Sequence, residues 1–354
     1  MKNNITDLAR KEIVSMKAYR SARSEGLKGS VFLDANENAY SDTRYNRYPE
    51  SQPDKLADLL TNVYGVDRQQ IIVTRGSDEG IDLLIRLFCR EGLDKIMVCP
   101  PTYGMYKVAA TIQGAEIIEV PLIKDREFSL DVDALLCAWE PAIKIIFLCS
   151  PNNPTGNVLS KSDILSLCQS LSDKSVIVVD EAYIEFANEE SVANCINDYP
   201  NLVILRTLSK AYGLAGIRCG VTIANSEIIK LLLKIIAPYP IPSPISDIVC
   251  QQVNSNITQN IISTIQKEKE LMKEFLTKIP SVKKVWESQA NYLLIQTVDA
   301  NKMMNACLKY GIVIRNRSSD YGLNNCVRIT IGSPNENALL REAISNVKKN
   351  IISG

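Results

Sequence analysis

Two short segments contain residue types that together can bind a phosphorylated ligand and react with a carbonyl carbon. The first, T-L-S-K-A-Y-G-L-A-G-I-R-C-G over residues 207–220, places Lys210 eight residues before Arg218. The second, V-I-V-V-D-E-A-Y-I-E-F over residues 176–186, is an apolar run that ends in Asp180, with Tyr183 three residues later. A neutral amine is a nucleophile, and a guanidinium grips phosphate through paired hydrogen bonds. An amine, a carboxylate, a phenol and a guanidinium are what pyridoxal phosphate chemistry requires.

Each of these residues also has a plainer structural interpretation. Lys210 taken alone is a surface lysine, and only the context S-K-A-Y-G-L-A-G-I-R favours a reactive amine in a pocket. Asp180 taken alone caps a helix after a strand about as well as it faces a site, and Tyr183 taken alone packs in a core. Ligands of open α/β sheets bind outside the carboxyl ends of the strands. We therefore interpret Asp180 as the partner of a protonated pyridine nitrogen, and Tyr183 as a donor to the cofactor's phenolate oxygen.

A phosphate site is indicated at the segment G-S-D-E-G, residues 76–80, which opens a helix expected to continue to about Arg90. A helix N-terminus preceded by glycine presents free N–H groups to an anion. Thr207, Ser209 and Arg218 would complete the site, Arg218 with a charge-assisted contact. A simple capping box explains residues 76–80 equally well.

Two further turns follow predicted strands. In P-T-Y-G-M-Y, residues 101–106, Tyr103 is placed to stack on the pyridine ring. In S-P-N-N-P-T-G, residues 150–156, Asn153 is placed to donate to the phenolate oxygen, and the Asn153–Pro154 bond is a candidate for the cis form. Each segment alone reads as a turn, but so many turns after sheet strands favour a site.

Composition excludes several kinds of catalytic site. None of the 354 residues is histidine, which removes histidine-based nucleophilic triads and the H-E-x-x-H zinc site. A lysine is the usual substitute as a proton carrier. The ten cysteines form no C-x-x-C pair, so we expect no metal site. Thiols inside apolar runs suit a reducing compartment.

Charge and hydropathy indicate a protein without a nucleic-acid or membrane partner. The 40 basic and 40 acidic residues cancel and form no run of one sign. The N-terminus has no apolar signal-peptide core, and the most apolar window, residues 228–236, is interrupted by two lysines. We expect a cytoplasmic location.

The pattern over residues 71–223 predicts an α/β domain with a buried, mostly parallel sheet, because short apolar runs alternate with helical spacing. The predicted strands are Ile71–Thr74, Ile96–Cys99, Glu116–Val120, Lys144–Cys149, Val176–Asp180, Leu202–Arg206 and Ile217–Ile223. Neither G-x-G-x-x-G nor a Walker A string occurs, which counts against a dinucleotide or ATP fold.

A smaller α+β domain is predicted after the proline cluster at residues 238–244. It comprises a long helical stretch from about Ile245 to Lys278, strands at Tyr292–Ile295 and Val327–Ile331, and helices around them. We expect an N-terminal segment, 1–44, that joins the small domain and the substrate pocket. The large domain would then be 45–244, and the connecting helix and small domain 245–354.

These motifs resemble those of the fold-type I, class I/II aminotransferases, and most closely the histidinol-phosphate aminotransferases. The resemblance runs from A-Y-R-S-A-R, residues 18–23, to V-R-I-T-I-G, residues 327–332. It implies pyridoxal 5'-phosphate carried by Lys210, with Asp180 at the pyridine nitrogen and Asn153 and Tyr183 at the phenolate oxygen. The phosphate-cup positions are Ser77, Asp78, Thr207, Ser209 and Arg218, and Tyr103 is at the stacking position. Tyr48 in R-Y-P-E resembles a tyrosine that reaches the partner subunit's site, which implies a homodimer.

The resemblance also implies the substrate contacts. Arg328 matches the arginine that clamps the carboxylate of glutamate or 2-oxoglutarate, a task that suits a planar fork. Arg315 and Tyr19 match positions that hold the phosphate of histidinol phosphate, and Asn36 lies in a segment that lines the same pocket. The chain departs from the usual pattern at Ala18, where proline is common, and in the residue after Tyr19, arginine in place of glutamine. Ser77 stands where alanine is commoner.

The implied reaction is amino transfer between L-histidinol phosphate and 2-oxoglutarate, which gives imidazole-acetol phosphate and L-glutamate in histidine biosynthesis. Two enzymes on the same scaffold stay open as alternatives, a threonine-phosphate decarboxylase of cobalamin synthesis and an aromatic amino acid aminotransferase. A regulator built on a pyridoxal phosphate domain would need an attached DNA-binding segment, for which 354 residues of this pattern leave no room.

Overall fold

Two β-sheets form the framework of the protein. The computed structural model describes residues 5–19, 29–41, 43–253 and 255–351. The larger sheet contains β1 (Ile71–Thr74), β2 (Lys95–Val98), β3 (Glu116–Glu119), β4 (Ile143–Cys149), β5 (Val176–Asp180), β6 (Leu202–Thr207) and β7 (Gly220–Ala224). Its strand order is β1-β7-β6-β5-β4-β2-β3, and β7 runs antiparallel to both of its neighbours while the other pairs are parallel. The prediction of a mostly parallel α/β sheet is confirmed.

Helices cover both faces of this sheet. They are α1 (Lys11–Ser15), α2 (Asp54–Tyr64), α3 (Ser77–Phe88), α4 (Met105–Gln113), α5 (Val132–Ala138), α6 (Lys161–Ser170) and α7 (Ser226–Ile235). Successive side chains of a strand point to opposite faces. Phe147 of β4 therefore packs with α3, α4 and α7, whereas Leu148 packs with α2, α5 and α6. Burial on both faces is why the central strands are continuous apolar runs.

A second, smaller unit follows in the chain. It consists of α8 (Ser243–Gln252), α9 (Ser255–Thr277), β8 (Val282–Val285), β9 (Tyr292–Thr297), α10 (Ala300–Leu308), β10 (Arg315–Asn316), β11 (Cys326–Thr330) and α11 (Pro334–Ile351). The four strands are antiparallel in the order β10-β11-β9-β8. Met272, Leu293, Val327 and Leu340 join α9, β9, β11 and α11 in one core. The boundaries 44/45 and 244/245 stay a prediction.

The helical stretch expected from about Ile245 to Lys278 is divided into α8 and α9. Helix α8 ends at Gln252, and Val253 has an extended backbone, with φ −74° and ψ 107°. The sequence here is V-N-S-N, and asparagine and serine favour helix N-caps over helix interiors. This local preference explains why one long helical pattern becomes two helices.

The beginning of the described chain packs on the larger unit, where we expected it to join the smaller one. Ile5, Ala9 and Ile13 recur every four residues, and this apolar stripe is buried in the core formed by α3 and α7. The N–H of Arg10 donates to the carbonyl of Leu87 at 3.0 Å. Residues 20–28, which include the arginine after Tyr19, lie outside the described residues.

The two units meet at the turn that follows β4. The hydroxyl of Tyr292, in β9, donates to the carbonyl of Asn152 at 2.7 Å, and the N–H of Gln289 donates to the carbonyl of Gly156 at 2.7 Å. The buried Lys269 ammonium of α9 donates to the carbonyls of Ser288 and Ala290, and its desolvation lowers its pKa. The Tyr292 and Gln289 bonds hold the smaller unit beside the carboxyl end of β4, and the Lys269 bonds hold the loop before β9 to α9.

The described residues contain no helix long and apolar enough to cross a bilayer. Within the same residues, no group of three or more histidine, cysteine, aspartate or glutamate side chains is arranged to hold a metal ion. The ten cysteines are free thiols, most of them buried.

Candidate active site

Asp180 is the last residue of β5 and lies at the carboxyl end of the sheet with 3% of its surface exposed. The Tyr106 hydroxyl donates to Asp180 Oδ2 at 2.8 Å, and the N–H of Ala182 donates to Oδ1 at 3.1 Å. Burial raises the pKa of Asp180 to about 6, and these two hydrogen bonds oppose the rise. A buried carboxylate without a cation in contact is suited to receive a cationic group of a ligand.

Lys210 follows β6, next to Asp180 across the sheet edge. Its ammonium nitrogen lies 5.5 Å from the ring centroid of Tyr183. The side chain is accessible to the cavity, yet desolvation and, secondarily, the charge of Arg328 lower its pKa. A lowered pKa makes the neutral, nucleophilic amine more available. Tyr183 is buried against Tyr292 in an edge-to-face contact of 5.1 Å, and burial raises its pKa, so its hydroxyl stays a donor.

An anion cradle is formed by Arg218, Ser209 and the start of α3. Arg218 donates to the Ser209 hydroxyl at 3.3 Å and to Asp78 Oδ2 at 3.3 Å, and the Thr207 hydroxyl donates to Ser209 at 3.0 Å. Gly76 precedes α3 with φ +79°, and a Cβ there would lie 2.6 Å from the Arg218 guanidinium. The first turn of the helix and a guanidinium thus face the same space, a donor set that fits a phosphate monoester.

Tyr103 stands beside this cradle, in the turn before α4. Its hydroxyl donates to Asp78 Oδ1 at 3.0 Å, and its ring makes an edge-to-face contact of 5.6 Å with Tyr106. Desolvation raises the pKa of Tyr103. The aromatic ring is therefore held by a hydrogen bond at one end and by a second ring at its side.

The opposite wall comes from the smaller sheet. Arg315 of β10 is directly opposite Arg328 of β11. Arg328 donates to Asn153 Oδ1, and its guanidinium carbon lies 5.2 Å from the ring centroid of Tyr292. The Asn153–Pro154 peptide bond is cis, as the sequence predicted. Asn153 therefore links the turn after β4 to the arginine wall.

One cavity of about 840 Å³ gathers most of the predicted site. The predicted residues that line it are Ser77, Asp78, Tyr103, Asn153, Asp180, Tyr183, Thr207, Ser209, Lys210, Arg218, Arg315 and Arg328. Tyr19, Asn36 and Tyr48 do not line it: Tyr19 is 75% exposed, and Tyr48 stacks on Tyr239 at 4.4 Å. A second cavity of about 840 Å³, beside Lys161 and Trp286, contains none of the predicted residues. The two cavities have the same volume, so volume does not identify the site. The hydrogen-bond donors and charged groups that line the first cavity do.

Sequence reasoning missed one residue behind Asp180 and three on the wall of this cavity. Tyr106 donates a hydrogen bond to Asp180 from the side away from the cavity. Three further residues line the wall next to Arg315: Arg317, Asp320 and Tyr321. A signal existed for Tyr106, because P-T-Y-G-M-Y places a second tyrosine three residues after Tyr103. The other three lie in a loop whose course the sequence pattern does not define.

Comparison with known proteins supports the same assignment at the level of the whole chain. The family model for aminotransferase class I and II matches residues 15–344. Histidinol-phosphate aminotransferase 1 of Haemophilus influenzae (strain 86-028NP) is 43% identical over 353 residues, covering 97% of this chain and 99% of that protein. Histidinol-phosphate aminotransferase of Yersinia pestis (strain Pestoides F) is 44% identical, covering 94% of this chain and 89% of that protein.

Solved structures share the fold. The histidinol-phosphate aminotransferase of Clostridium acetobutylicum superposes with a TM-score of 0.79 at 25% identity, covering 86% of this chain and 92% of that one. The Sinorhizobium meliloti enzyme, solved with pyridoxal-5'-phosphate, gives a TM-score of 0.79 at 21% identity over 96% and 97% of the two chains. L-threonine-O-3-phosphate decarboxylase of Porphyromonas gingivalis gives 0.70 at 23% identity, covering 86% and 91%, so the fold alone does not separate transaminase from lyase.

The family model and the sequence identity to the two relatives identify the family of this chain, which the fold alone does not. Lys210, Asp180 and Arg218 bring an amine, a carboxylate and a guanidinium into one cavity, and these are the kinds of group that bind pyridoxal phosphate. The chain belongs to the class I and II aminotransferases, enzymes that use pyridoxal phosphate, and within them to the histidinol-phosphate aminotransferase family.

Proposed function

We propose that this enzyme transfers the amino group between L-histidinol phosphate and 2-oxoglutarate, forming imidazole-acetol phosphate and L-glutamate in histidine biosynthesis. The observation that supports this best is the composition of the cavity. Lys210, Asp180 and Arg218 line one side, and Arg315 and Arg328 line the other. A phosphorylated amine or ketone that alternates in one site with glutamate and 2-oxoglutarate needs cationic contacts of this kind, beyond those that hold a phosphorylated cofactor.

Bound pyridoxal phosphate supplies an electron sink for the negative charge that develops when the substrate's Cα loses a proton. Asp180 stabilises a positive charge on the ring nitrogen, because it is buried and aligned by Tyr106 and Ala182. Lys210 holds the cofactor and carries the proton to and from Cα, a role consistent with its lowered pKa. Tyr183 and Asn153 donate to the cofactor's phenolate oxygen, and Tyr103 stacks on its ring.

The cofactor's phosphate is assigned to the cradle at the start of α3. Arg218, Ser209 and Thr207 contact one another there, and Ser77 and Asp78 are the first residues of the helix. Backbone N–H groups need no particular side chain, so serine in place of alanine at position 77 should be neutral.

The anionic groups of the two substrates, the carboxylate of glutamate and the phosphate of histidinol phosphate, are assigned to the arginine wall. Arg328 takes the carboxylate of glutamate, because it is oriented by Asn153 and Tyr292. Arg315 takes the phosphate, with Tyr19 and Asn36 as further contacts. Both of those residues lie outside the cavity wall of the single chain.

A homodimer is part of the proposal. Tyr48 is half-exposed on the arm between β1 and the N-terminus, and we assign it to the cofactor phosphate of the partner subunit. Several apolar side chains of this arm are exposed to solvent in the single chain: Val31, Leu33, Tyr40 and Tyr45. A second copy would cover them. We also propose a cytoplasmic location.

The first test is the absorption spectrum of the purified holoenzyme on addition of L-histidinol phosphate without a keto acid. Conversion of the visible band of the bound cofactor to the near-ultraviolet band of its amine form is expected. L-histidinol and O-phospho-L-threonine should give little response. Carbon dioxide released from O-phospho-L-threonine would instead indicate the decarboxylase, and equal responses to phosphate-free aromatic amino acids would indicate an aromatic aminotransferase.

A further inference from the structure

Three arginines lie side by side on the substrate wall. Arg315 and Arg328 are direct cross-strand neighbours in β10 and β11. Arg317 follows Arg315 by two residues, and its N–H continues the pairing by donating to the carbonyl of Cys326 at 2.9 Å. All three arginines line the cavity. Like charges directly opposite each other destabilise a strand pair, so this wall is built to receive anions.

The three positive charges are not equally engaged. Arg328 donates to Asn153, and Arg315 is exposed with no ion pair to an acidic side chain in the described ranges. Arg317 alone has an internal counter-ion, since its NH2 group lies 2.5 Å from Asp320 Oδ2, three residues on. Both members of this pair are less than one quarter exposed. A substrate anion therefore meets two available guanidiniums and one that a carboxylate already occupies.

The Arg317–Asp320 pair is incompletely satisfied. The Nε of Arg317, the hydroxyl of the adjacent Ser318 and Oδ2 of Asp320 are buried and have no hydrogen-bond partner within the part of the chain that the structure describes, so the contact of 2.5 Å is an ion pair without hydrogen-bond geometry. Desolvation lowers the pKa of Arg317 and raises that of Asp320. A partly buried ion pair with poor hydrogen-bond geometry is more easily replaced by a ligand that hydrogen-bonds to the guanidinium.

We propose that Arg317 is a further phosphate-binding residue of this site, and that Asp320 is its counter-ion in the free enzyme, displaced by the phosphate dianion of the substrate. The proposal rests on the proposed function and specifies how its substrate is selected. A phosphate monoester carries about 1.5 to 2 negative charges at neutral pH and three acceptor oxygens. It can replace a single carboxylate at Arg317 and also reach Arg315 beside it.

A carboxylate group of glutamate has no such advantage. It would only exchange one carboxylate for another at Arg317, so it binds at Arg328, where Asn153 is the competing acceptor. Asp320 thus acts against the binding of weaker anions at the phosphate position, which is how a repulsive element gives specificity. The Arg317–Asp320 pair would let one cavity bind glutamate and a phosphorylated amine in turn, with the carboxylate at Arg328 and the phosphate at Arg317.

The test uses the holoenzyme and inorganic phosphate as the probe. Phosphate is measured as an inhibitor of the spectral half-reaction with L-glutamate, in wild type, Arg317→Gln, Asp320→Asn and the double variant. We expect Asp320→Asn to bind phosphate about tenfold more tightly, because the competing carboxylate is gone. We expect Arg317→Gln to bind it at least about tenfold more weakly, since a cation is lost and Asp320 is left to repel the ligand.

The double variant and a remote pair provide the controls. Arg317→Gln with Asp320→Asn should fall between the two single variants, which isolates the coupling of the pair. Glu227→Gln removes the acidic partner of Lys230, also three residues away in sequence, on the surface of α7. It should leave phosphate inhibition unchanged.

The proposal is overturned if Asp320→Asn leaves phosphate inhibition as in wild type, or if Arg317→Gln weakens L-glutamate as much as phosphate. A wild-type enzyme that responds to L-glutamate but not to L-histidinol phosphate would refute the proposed function. The phosphate series would still decide, by the same criteria, whether Arg317 and Asp320 act on a phosphate anion.

Discussion

The hydroxyl of Tyr106 lies 2.8 Å from Asp180 Oδ2, and its ring stacks on Phe147 with a centroid distance of 4.7 Å. A buried phenol thus fixes the orientation of a buried carboxylate from the side away from the cavity. Because the hydrogen bond stabilises the charged form of Asp180, it opposes the rise in pKa that burial causes.

Tyr106→Phe should shift the pH dependence of the half-reaction. Without the donor, the pKa of Asp180 rises further above about 6, so the carboxylate is lost at a higher pH. We expect the acidic limb of the L-glutamate half-reaction to move to higher pH, and the rate at pH 7 to fall about tenfold. Tyr199→Phe, at the opposite end of β6, is the control, and identical pH profiles for both variants would contradict the assignment.

Asp180→Asn should stabilise the cofactor-free protein above pH 6 while abolishing activity. The folded pKa of about 6 exceeds the ordinary value of 3.8, so ionised Asp180 opposes folding once the pH passes this range. The removed penalty is on the order of 3 kcal/mol at pH 7 and falls to less than about 1 kcal/mol near pH 4, where the carboxyl is protonated in the folded state and about half protonated in the unfolded state. Urea unfolding of both apoproteins at pH 4, 5.5 and 7.5 measures it. A gain that does not depend on pH would show that ionisation is not its cause.

Lys210→Ala should retain some pyridoxal phosphate without covalent attachment and lose turnover. Arg218 and the cradle at α3 are untouched, but the proton carrier is gone, so we expect the half-reaction with L-glutamate to slow by more than about a thousandfold. Single-turnover absorbance measures this, with Lys174→Ala, a surface lysine over Trp139, as the control. Appreciable turnover in the Lys210 variant would refute its role.

Gly76→Ala should weaken the binding of pyridoxal phosphate far more than Gly65→Ala. Both substitutions strain the backbone: Gly65, with φ +65° and ψ 39°, is in the left-handed helical region, and Gly76, with φ +79° and ψ 171°, is in a region almost restricted to glycine. A Cβ at Gly76 would lie 2.6 Å from the Arg218 guanidinium, whereas one at Gly65 would have no atom within 4 Å. Fluorescence titration of the apoproteins compares the two dissociation constants. Equal losses would mean that strain, and not displacement of Arg218, is responsible.

Arg206→Met should destabilise the protein by about 3–5 kcal/mol, because it leaves two buried carboxylates without their cation. Arg206 donates to Glu181 at 3.3 Å and to Glu185 at 2.7 Å, on either side of Tyr183 in sequence. Denaturant unfolding should show the loss. Lys284→Met, which breaks an exposed pair with Glu127, should cost at most about 1 kcal/mol. Similar losses in both would argue against a special cost of burial.

The larger sheet was predictable because its strands are buried on both faces. A run such as I-I-F-L-C in β4 has no other stable location, and turn residues bound it on each side. By contrast, β8 reads V-K-K-V, with two exposed lysines, and β10 has two residues. Neither has a periodic pattern long enough to be read from sequence.

At the site, too, the residues placed by a clear strand pattern were predictable and the others were not. Residues that follow predicted strands, such as Asp180 and Asn153, were found because the sheet dictates where its carboxyl ends lie. Tyr106 was missed because its importance depends on a contact 74 residues away in sequence. Arg317 and Asp320 were missed because the loop that pairs them has no regular structure to predict from.

The cavity is formed by residues of two sheets, and this has a consequence for an enzyme whose reaction consists of two half-reactions. Lys210, Asp180 and Arg218 all follow or border strands of the seven-stranded sheet, whereas Arg315, Arg317 and Arg328 belong to the four-stranded unit. The units are joined by a shared apolar core, in which Trp286 and Leu294 belong to the same buried cluster as Leu148, and by hydrogen bonds at the turn after β4. Under the proposed function, the group that stores the nitrogen is held by the larger sheet and the substrates by arginines of the smaller one, so a change in the arginine wall can alter which keto acid and amine are exchanged while the cofactor stays held in the same way.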